Sequence, residues 1–401
     1  MTEFTAPKTH NARTRVVVIG GGYSGTLAAN HLRAGGDLDI TLVNPRPKFV
    51  ERIRLHQSVA AGYDASVDYG TLLGEGIRLV VDTATRIDTA AHTVALGSGR
   101  ELDYDYLIYA VGSTGTVSSA IPGAAEFAYP VAELEQAERL RAVLDQFHPA
   151  APVTVVGAGL TGIETATELA EQGRNVVLVC GGRLGPSLSE PGRRSVAKAM
   201  AKLGVTVMET DVVTEVRADA VVFADGAVRP SAVTIWTAGF GAPGLATASG
   251  LTTDSIGRLI TDETLTSVDD ERIVAAGDCA APSNQPLRMC CATATQLAPQ
   301  AANTVLSRIA GTAPARFEYA YAGACISLGR RAATLQFTRK DDTAVNLYIG
   351  GRPLAVVKEA VCMGTLWAMR RSARKPDWTL WLKGGPRPEQ PALVPKVVAQ
   401  T

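Results

Sequence analysis

Two glycine-rich turns constrain this chain more than any other feature in it. Residues 15–20 read RVVVIG, a β-branched run that suits a parallel strand covered on both faces. The turn that follows holds Gly20, Gly22, Tyr23, Ser24 and Gly25 in a G-x-G-x-x-G pattern. Leu27, Ala28 and Leu32 then recur at helical spacing, and residues 39–43 read as the next strand. The same order returns downstream. A strand at 152–156 leads into a turn with Gly157, Gly159, Leu160, Thr161 and Gly162, then a helix over 163–172 and a strand at 175–179. Two such βαβ units predict an α/β fold with two Rossmann-like domains.

The chemistry of these turns is specific. The first glycine makes the tight turn, the second lets backbone approach a pyrophosphate, and the third lets helix pack on strand. The helix N-terminus adds free N–H groups and a partial positive charge for the phosphates. An acidic residue ordinarily closes the second strand and binds the ribose diol. Here those positions are Asn44 and Cys180. Asparagine still hydrogen-bonds a hydroxyl, but without charge assistance. Arg46 and Lys48 lie near enough to touch phosphate or adenine; a solvated basic loop is the competing reading. Past Cys180, Arg183 is placed to pair with a 2′-phosphate that no carboxylate repels, which tilts the second site towards NADPH over NADH. Further on, residues 273–278 (IVAAGD) bring Gly277 and Asp278 to the end of a strand. Residues 107–112, with Ala110 and Gly112, and 235–239, ending at Gly239, are likewise strands that finish in small residues, where a nucleotide can lie on bare backbone.

Composition narrows the partners. Lys+Arg and Asp+Glu both number 39 and aromatic residues make up 5%, which argues against a nucleic-acid surface. Six cysteines show neither disulfide-scaffold nor zinc spacing, so a reducing cytoplasm is expected. Residues 1–15 lack the apolar core of a secretory signal, and no apolar run is long enough to span a bilayer. Further helices are expected over 133–147, 191–203, 295–309 and 354–370, with a loosely ordered Pro- and Gly-rich tail from residue 383.

On these motifs the chain resembles the two-dinucleotide-binding flavoproteins of the pyridine nucleotide-disulfide oxidoreductase superfamily, and most of all the type II NADH dehydrogenases, over residues 14–335. The resemblance implies an FAD domain split between 15–115 and 263–315. A NAD(P)H domain (116–262) is inserted in it, and a small α+β region (316–385) follows, between a disordered start (1–14) and a flexible tail (386–401). It implies FAD contacts from Gly20, Gly22, Gly25, Asn44, Ala84, Gly112 and Asp278, and a nicotinamide site lined by Gly157, Gly159, Thr161, Gly162 and Gly239. Glu164 matches an acidic residue near flavin and nicotinamide; the competing reading is a helix-start carboxylate on the macrodipole. In residues 291–303, Gln296 matches one of two glutamines flanking the family's quinone site, with Leu297 beside it, while the other aligns with Ala292. That departure puts quinone as acceptor in doubt. Arg54 and His56 are the polar candidates in the flavin-contacting segment 48–62, which lacks the Cys-x-x-x-x-Cys of the disulfide reductases. Cys279, Cys290 and Cys291 are read as buried inert thiols.

The expected activity is therefore that of an FAD-dependent oxidoreductase that takes a hydride from NADH or NADPH and passes electrons to a quinone or quinone-like small-molecule acceptor. The alternatives are a reductase of a ferredoxin-type protein or specialised metabolite, and a non-enzymatic flavin-binding redox sensor. A homodimer is an open expectation. Peripheral membrane contact through residues 365–382, with Trp367, Trp378 and Trp381, competes with simple packing on the protein, because Pro376 breaks the segment.

Overall fold

The computed structural model describes residues 13–115, 117, 120–379 and 384–385. The expectations for residues 1–12, for Trp381 and the rest of 380–383, and for 386–401 fall outside them.

Two five-stranded parallel sheets are built to one plan. In the first the order is Ile273–Ala275, Tyr106–Tyr109, Thr14–Ile19, Leu38–Asn44, Ile77–Val81. In the second it is Ala128–Pro130, Val233–Trp236, Pro152–Val156, Asn175–Val179, Thr206–Met208. Each glycine turn thus leaves the carboxyl end of a central strand, where the strand order reverses and a crevice opens. The second sheet lies, in sequence, between strands of the first, so one domain is inserted in the other. The chain rejoins the first domain before residue 263, because Ala246, Leu251 and Leu259 already pack with Val17, Ile19 and Tyr109.

The first fingerprint helix, Tyr23–Leu32, is buried along its whole length. It lies between its sheet and the helix Cys291–Ile309, with Ala28, Ala29 and Leu32 sharing a core with Ala298, Ala301 and Val305. Small residues on both helices permit this close approach, and each large aliphatic buried contributes roughly 1.5–3 kcal/mol. The second of these helices begins at Cys291 rather than near residue 295; Pro299 sits inside it and removes one backbone hydrogen bond.

Beyond the two domains, Gly323–Ser327, Ala333–Thr338 and Ala344–Gly351 form an antiparallel sheet, followed by the helix Arg352–Arg374. That helix stops just before Pro376. It is anchored on the first fingerprint helix, where Asn30 Nδ2 donates to Ser372 Oγ at 3.0 Å. Among the described residues no helix is long and apolar enough to cross a membrane.

Candidate functional site

The first glycine turn opens onto a cavity of about 340 Å³. A methyl on Gly20, whose φ is +102°, would strike the Ala110 carbonyl, and one on Gly25 would strike the carbonyl of Gly20. A methyl on Gly22 would meet nothing within 4 Å. So Gly20 and Gly25 close the turn, and Gly22 leaves an open seat above the helix N-terminus. Tyr23, Ser24, Asn44, Arg46, Lys48, Ala84, Ala110, Gly112 and Asp278 also line this cavity.

Three residues that the sequence reading passed over complete its wall. Ser113 Oγ donates to Asp278 Oδ2 at 2.7 Å, and Arg52 Nη1 donates to Ser113 Oγ at 3.3 Å. Arg52 is itself held by the Ala132 carbonyl, which its Nε reaches at 2.9 Å. Tyr69 donates from its hydroxyl to the Gly21 carbonyl at 2.6 Å and pins the turn. Burial raises the Asp278 carboxyl above its ordinary range, against the Ser113 hydrogen bond and the Arg52 charge. Its second oxygen, Oδ1, is buried and meets no donor among the described residues. A buried acceptor left open in the cavity wall that Gly22 also lines fits a dinucleotide with hydroxyls to donate.

Other expectations are corrected here. Asn44 Oδ1 accepts from the Gly21 N–H at 2.9 Å and its Nδ2 donates to the Arg46 carbonyl at 2.8 Å, so its amide shapes the turn. The Arg46 guanidinium is clamped by Glu135 (2.6 Å) and Glu133 (3.0 Å) across the domain boundary. Arg54 does not face the cavity at all. It is buried against Glu51, Gln57 and Glu359, the last at 2.6 Å. Gln296 spends both ends of its amide on backbone, with Nε2 and Oε1 bound to Ala320, while Leu297 is core at 1% exposure. Gly277 packs against Ser24 rather than opening towards a ligand.

The second turn repeats the geometry. A methyl on Gly162 would strike the Gly157 carbonyl, and one on Gly157 would crowd Thr237 and Ala238, just before Gly239. One on Gly159 would meet nothing within 4 Å. Thr237 Oγ1 donates to the Val156 carbonyl at 2.9 Å and ties the two strand ends together. Leu160 and Thr161 open the following helix, Leu160–Glu171. Burial pushes the half-buried Cys180 thiol up to about 12, so it stays protonated. Arg183 pairs with Glu190 at 2.5 Å, and Glu209 is held by Arg193 at 3.0 Å. The Arg183–Glu190 pair lies at the surface, its side chains 52% and 41% accessible.

Glu164, in the first turns of this helix, is met from the C-terminal helix. Lys358 Nζ lies 2.8 Å from Glu164 Oε1, and the same oxygen accepts the Ser327 N–H at 2.9 Å. Burial alone would raise this carboxyl, but Lys358, His56 and the Ser327 N–H outweigh it and hold it below its ordinary range. Nothing local in the sequence signalled Lys358. His56 is buried close by and lines neither cavity.

A second cavity, about 410 Å³ and mainly apolar, lies among Leu27, Cys291, Ala292, Pro299, Gly364, Trp367 and Trp378. Ala294 lines the first cavity and Cys291, Ala292 and Thr295 line this one, so the two open on different faces of one helical turn. His31, 8% exposed, also lines it. Its Nε2 is bonded to Asn303 at 2.8 Å, and its Nδ1 is buried without a partner among the described residues. Burial pushes the Cys279 and Cys291 thiols up to about 12. Of the three cysteines expected to be buried only Cys279 is; Cys290 and Cys291 are half-buried, and Cys291 reaches the cavity wall. Among the described residues no group of side chains is arranged to hold a metal.

Residues 14–304 match the family described as pyridine nucleotide-disulphide oxidoreductase. An NADH dehydrogenase-like protein of Mycobacterium tuberculosis is 32% identical over 297 residues, covering 67% of this chain and 73% of the relative. A type II NADH:quinone oxidoreductase of the same organism is 29% identical over 371 residues, covering 80% and 79%. Among solved structures, NDH2 of Plasmodium falciparum in complex with NADH superposes with a TM-score of 0.76 at 15% identity, over 91% of this chain and 97% of that one; this likeness is one of fold.

Proposed function

The chain belongs to the pyridine nucleotide-disulphide oxidoreductase family, and from that premise we propose that it draws a hydride from NADH or NADPH on to FAD and delivers two electrons to a quinone-type small molecule. Membership makes it an NAD(P)H-dependent flavoprotein oxidoreductase; FAD, the choice of nicotinamide and the acceptor are our reading. The observation that carries it is the pair of open seats at Gly22 and Gly159, the first beside the unpartnered Oδ1 of Asp278. FAD supplies the redox chemistry when bound.

The chain's own residues bind, orient and insulate. The first turn seats the FAD diphosphate, and Asp278, positioned by Ser113 and Arg52, accepts a hydrogen bond from a ribityl or ribose hydroxyl. The second turn seats the nicotinamide dinucleotide. Glu164, held ionised by Lys358, keeps one net-neutral buried pair at the meeting point of the inserted domain and the C-terminal helix. The apolar cavity supports a quinone-type acceptor, since it lies one helical face from the FAD seat and has His31 as a polar side chain in its wall. Ala292 and the occupied Gln296 leave that role to His31 rather than to a glutamine pair. Val356, Met363 and Trp367, 73%, 61% and 59% exposed on the C-terminal helix, support peripheral contact with a lipid surface.

Anaerobic mixing tests the reading. The purified protein should carry FAD that bleaches with NADH or NADPH and regains its colour on adding menadione. Colourless protein that takes up no flavin overturns the whole proposal, and failure of menadione alone overturns the quinone assignment.

A further inference from the structure

The second fingerprint helix carries another carboxylate one turn beyond Glu164. Glu168 is fully buried, and neither of its oxygens meets a hydrogen-bond donor among the described residues. His56 faces it from the helix Leu55–Ala61, with Nε2 at 3.8 Å from Glu168 Oε1 and equally without a partner. Arg330, from the turn leading into Ala333–Thr338, brings Nη1 to 3.8 Å from the same oxygen. Both distances exceed a hydrogen bond. A carboxylate in this position would be a buried charge without a bonded partner, which proteins avoid by neutralising the group.

The neighbouring charges leave Glu168 to itself. Lys358 is taken by Glu164 at 2.8 Å. Glu359 takes Arg54 at 2.6 Å and Arg330 Nη2 at 2.8 Å. Glu171, on the same helix, accepts the backbone N–H of Arg330 and adds negative potential near Glu168. The cations that would strip a proton from Glu168 are therefore engaged elsewhere. Burial lifts the carboxyl up to about 7, against Arg330, and lowers His56 to about 4, with Lys358, Arg330 and Arg54 adding to the effect and Glu164 opposing it. Both directions run opposite to those of an ion pair.

We infer that Glu168 and His56 form a buried acid–base pair that holds one exchangeable proton around neutral pH and connects it to water past Arg330, one helical turn from Glu164. Only a proton moves: the Glu168 O–H breaks as a water bridging the 3.8 Å gap takes the proton and passes one of its own to His56 Nε2, and the reverse step restores the neutral pair. A proton lost from the pair is replaced from water along the partly exposed Arg330 side chain, which is 39% accessible. The pair titrates as a unit. That it holds a proton is independent of flavin binding; its use in turnover rests on the function proposed above, with Glu164 near the reacting rings.

Infrared difference spectroscopy between pH 5 and 9 tests this on the full chain, with and without bound flavin. The wild type should show a protonated-carboxyl band that shifts in deuterium oxide, titrates around neutrality and is absent from Glu168→Gln. His56→Gln should move its midpoint. Identical carboxyl difference spectra for wild type and Glu168→Gln would overturn the inference. In turnover, Glu168→Gln should flatten the limb of the kcat–pH profile near neutrality and leave KM for NADH unchanged; an unaltered profile overturns the role in turnover. If the chain binds no flavin, the function reading fails while the infrared result still decides the proton.

Discussion

Lys358 reaches 2.8 Å from Glu164 across the contact between the C-terminal helix and the second fingerprint helix, both side chains being at most 14% exposed. The pair joins two parts of the chain 194 residues apart. Removing one partner strands a buried charge, so Lys358→Met should cost about 3–5 kcal/mol in urea unfolding, and Glu164→Gln with Lys358→Met should recover most of it. The sign with pH follows from the lowered Glu164 carboxyl. The unfolded chain binds more protons as pH falls below roughly 4.3, so this contribution is complete above that value and is lost as pH drops through the folded value. An acid transition of Glu164→Gln that matches the wild type would remove the pair from the account.

Asp278 offers a contrast between structure and binding. Its Oδ1 is buried and has no hydrogen-bond partner among the described residues, which suits it to a ligand hydroxyl in the function proposed here. Asp278→Ala should fold and lose a charge-assisted bond to flavin, about 1.5–3 kcal/mol, or roughly 10- to 150-fold weaker retention. Flavin fluorescence released on dilution reports it. Unchanged retention would mean that Asp278 serves the fold alone.

The two turns can be separated by single methyl groups. Gly22→Ala and Gly159→Ala each add a carbon where the protein has no atom within 4 Å. Both proteins should unfold at nearly wild-type temperature. The first should lose flavin, while the second should keep it coloured and fail to bleach with NADH. Gly20→Ala, at φ +102° and against the Ala110 carbonyl, should instead be unstable. Equal flavin content in Gly22→Ala and wild type would empty the first seat of meaning.

What the sequence disclosed follows from how local each feature is. The glycine turns are fixed by backbone contacts between residues a few positions apart, as with Gly25 against Gly20, so their pattern is legible. The long polar side chains were not. Arg46 finds Glu135, Arg54 finds Glu359 and Gln296 finds the Ala320 backbone, all partners that only the tertiary fold brings near. The sequence placed a functional arginine in the segment 48–62 but chose Arg54. Both lie in one tight turn, Arg52–Arg54, yet Arg52 faces the cavity and Arg54 the interior. Lys358 and His31 had no motif around them, and only packing reveals them.

Gly364 gives the acceptor site a test in which stability and activity move in opposite directions. It lies inside the helix Arg352–Arg374, lines the apolar cavity, and has nothing within 4 Å of where a side chain would begin. Glycine in a helix interior costs roughly 0.8–1.0 kcal/mol against alanine, so Gly364→Leu should raise the unfolding free energy by up to about 1 kcal/mol. The same side chain projects into the space proposed for a quinone-type molecule and excludes it. Flavin bleaching by NADH should proceed at the wild-type rate, while reoxidation by menadione slows at least about tenfold, the cost of losing some 1.4 kcal/mol of binding. Hydride uptake and acceptor reduction use different cavities in this reading, so stopped-flow traces of the two half-reactions resolve it. Equal slowing of both, or of neither, would detach the apolar cavity from the acceptor.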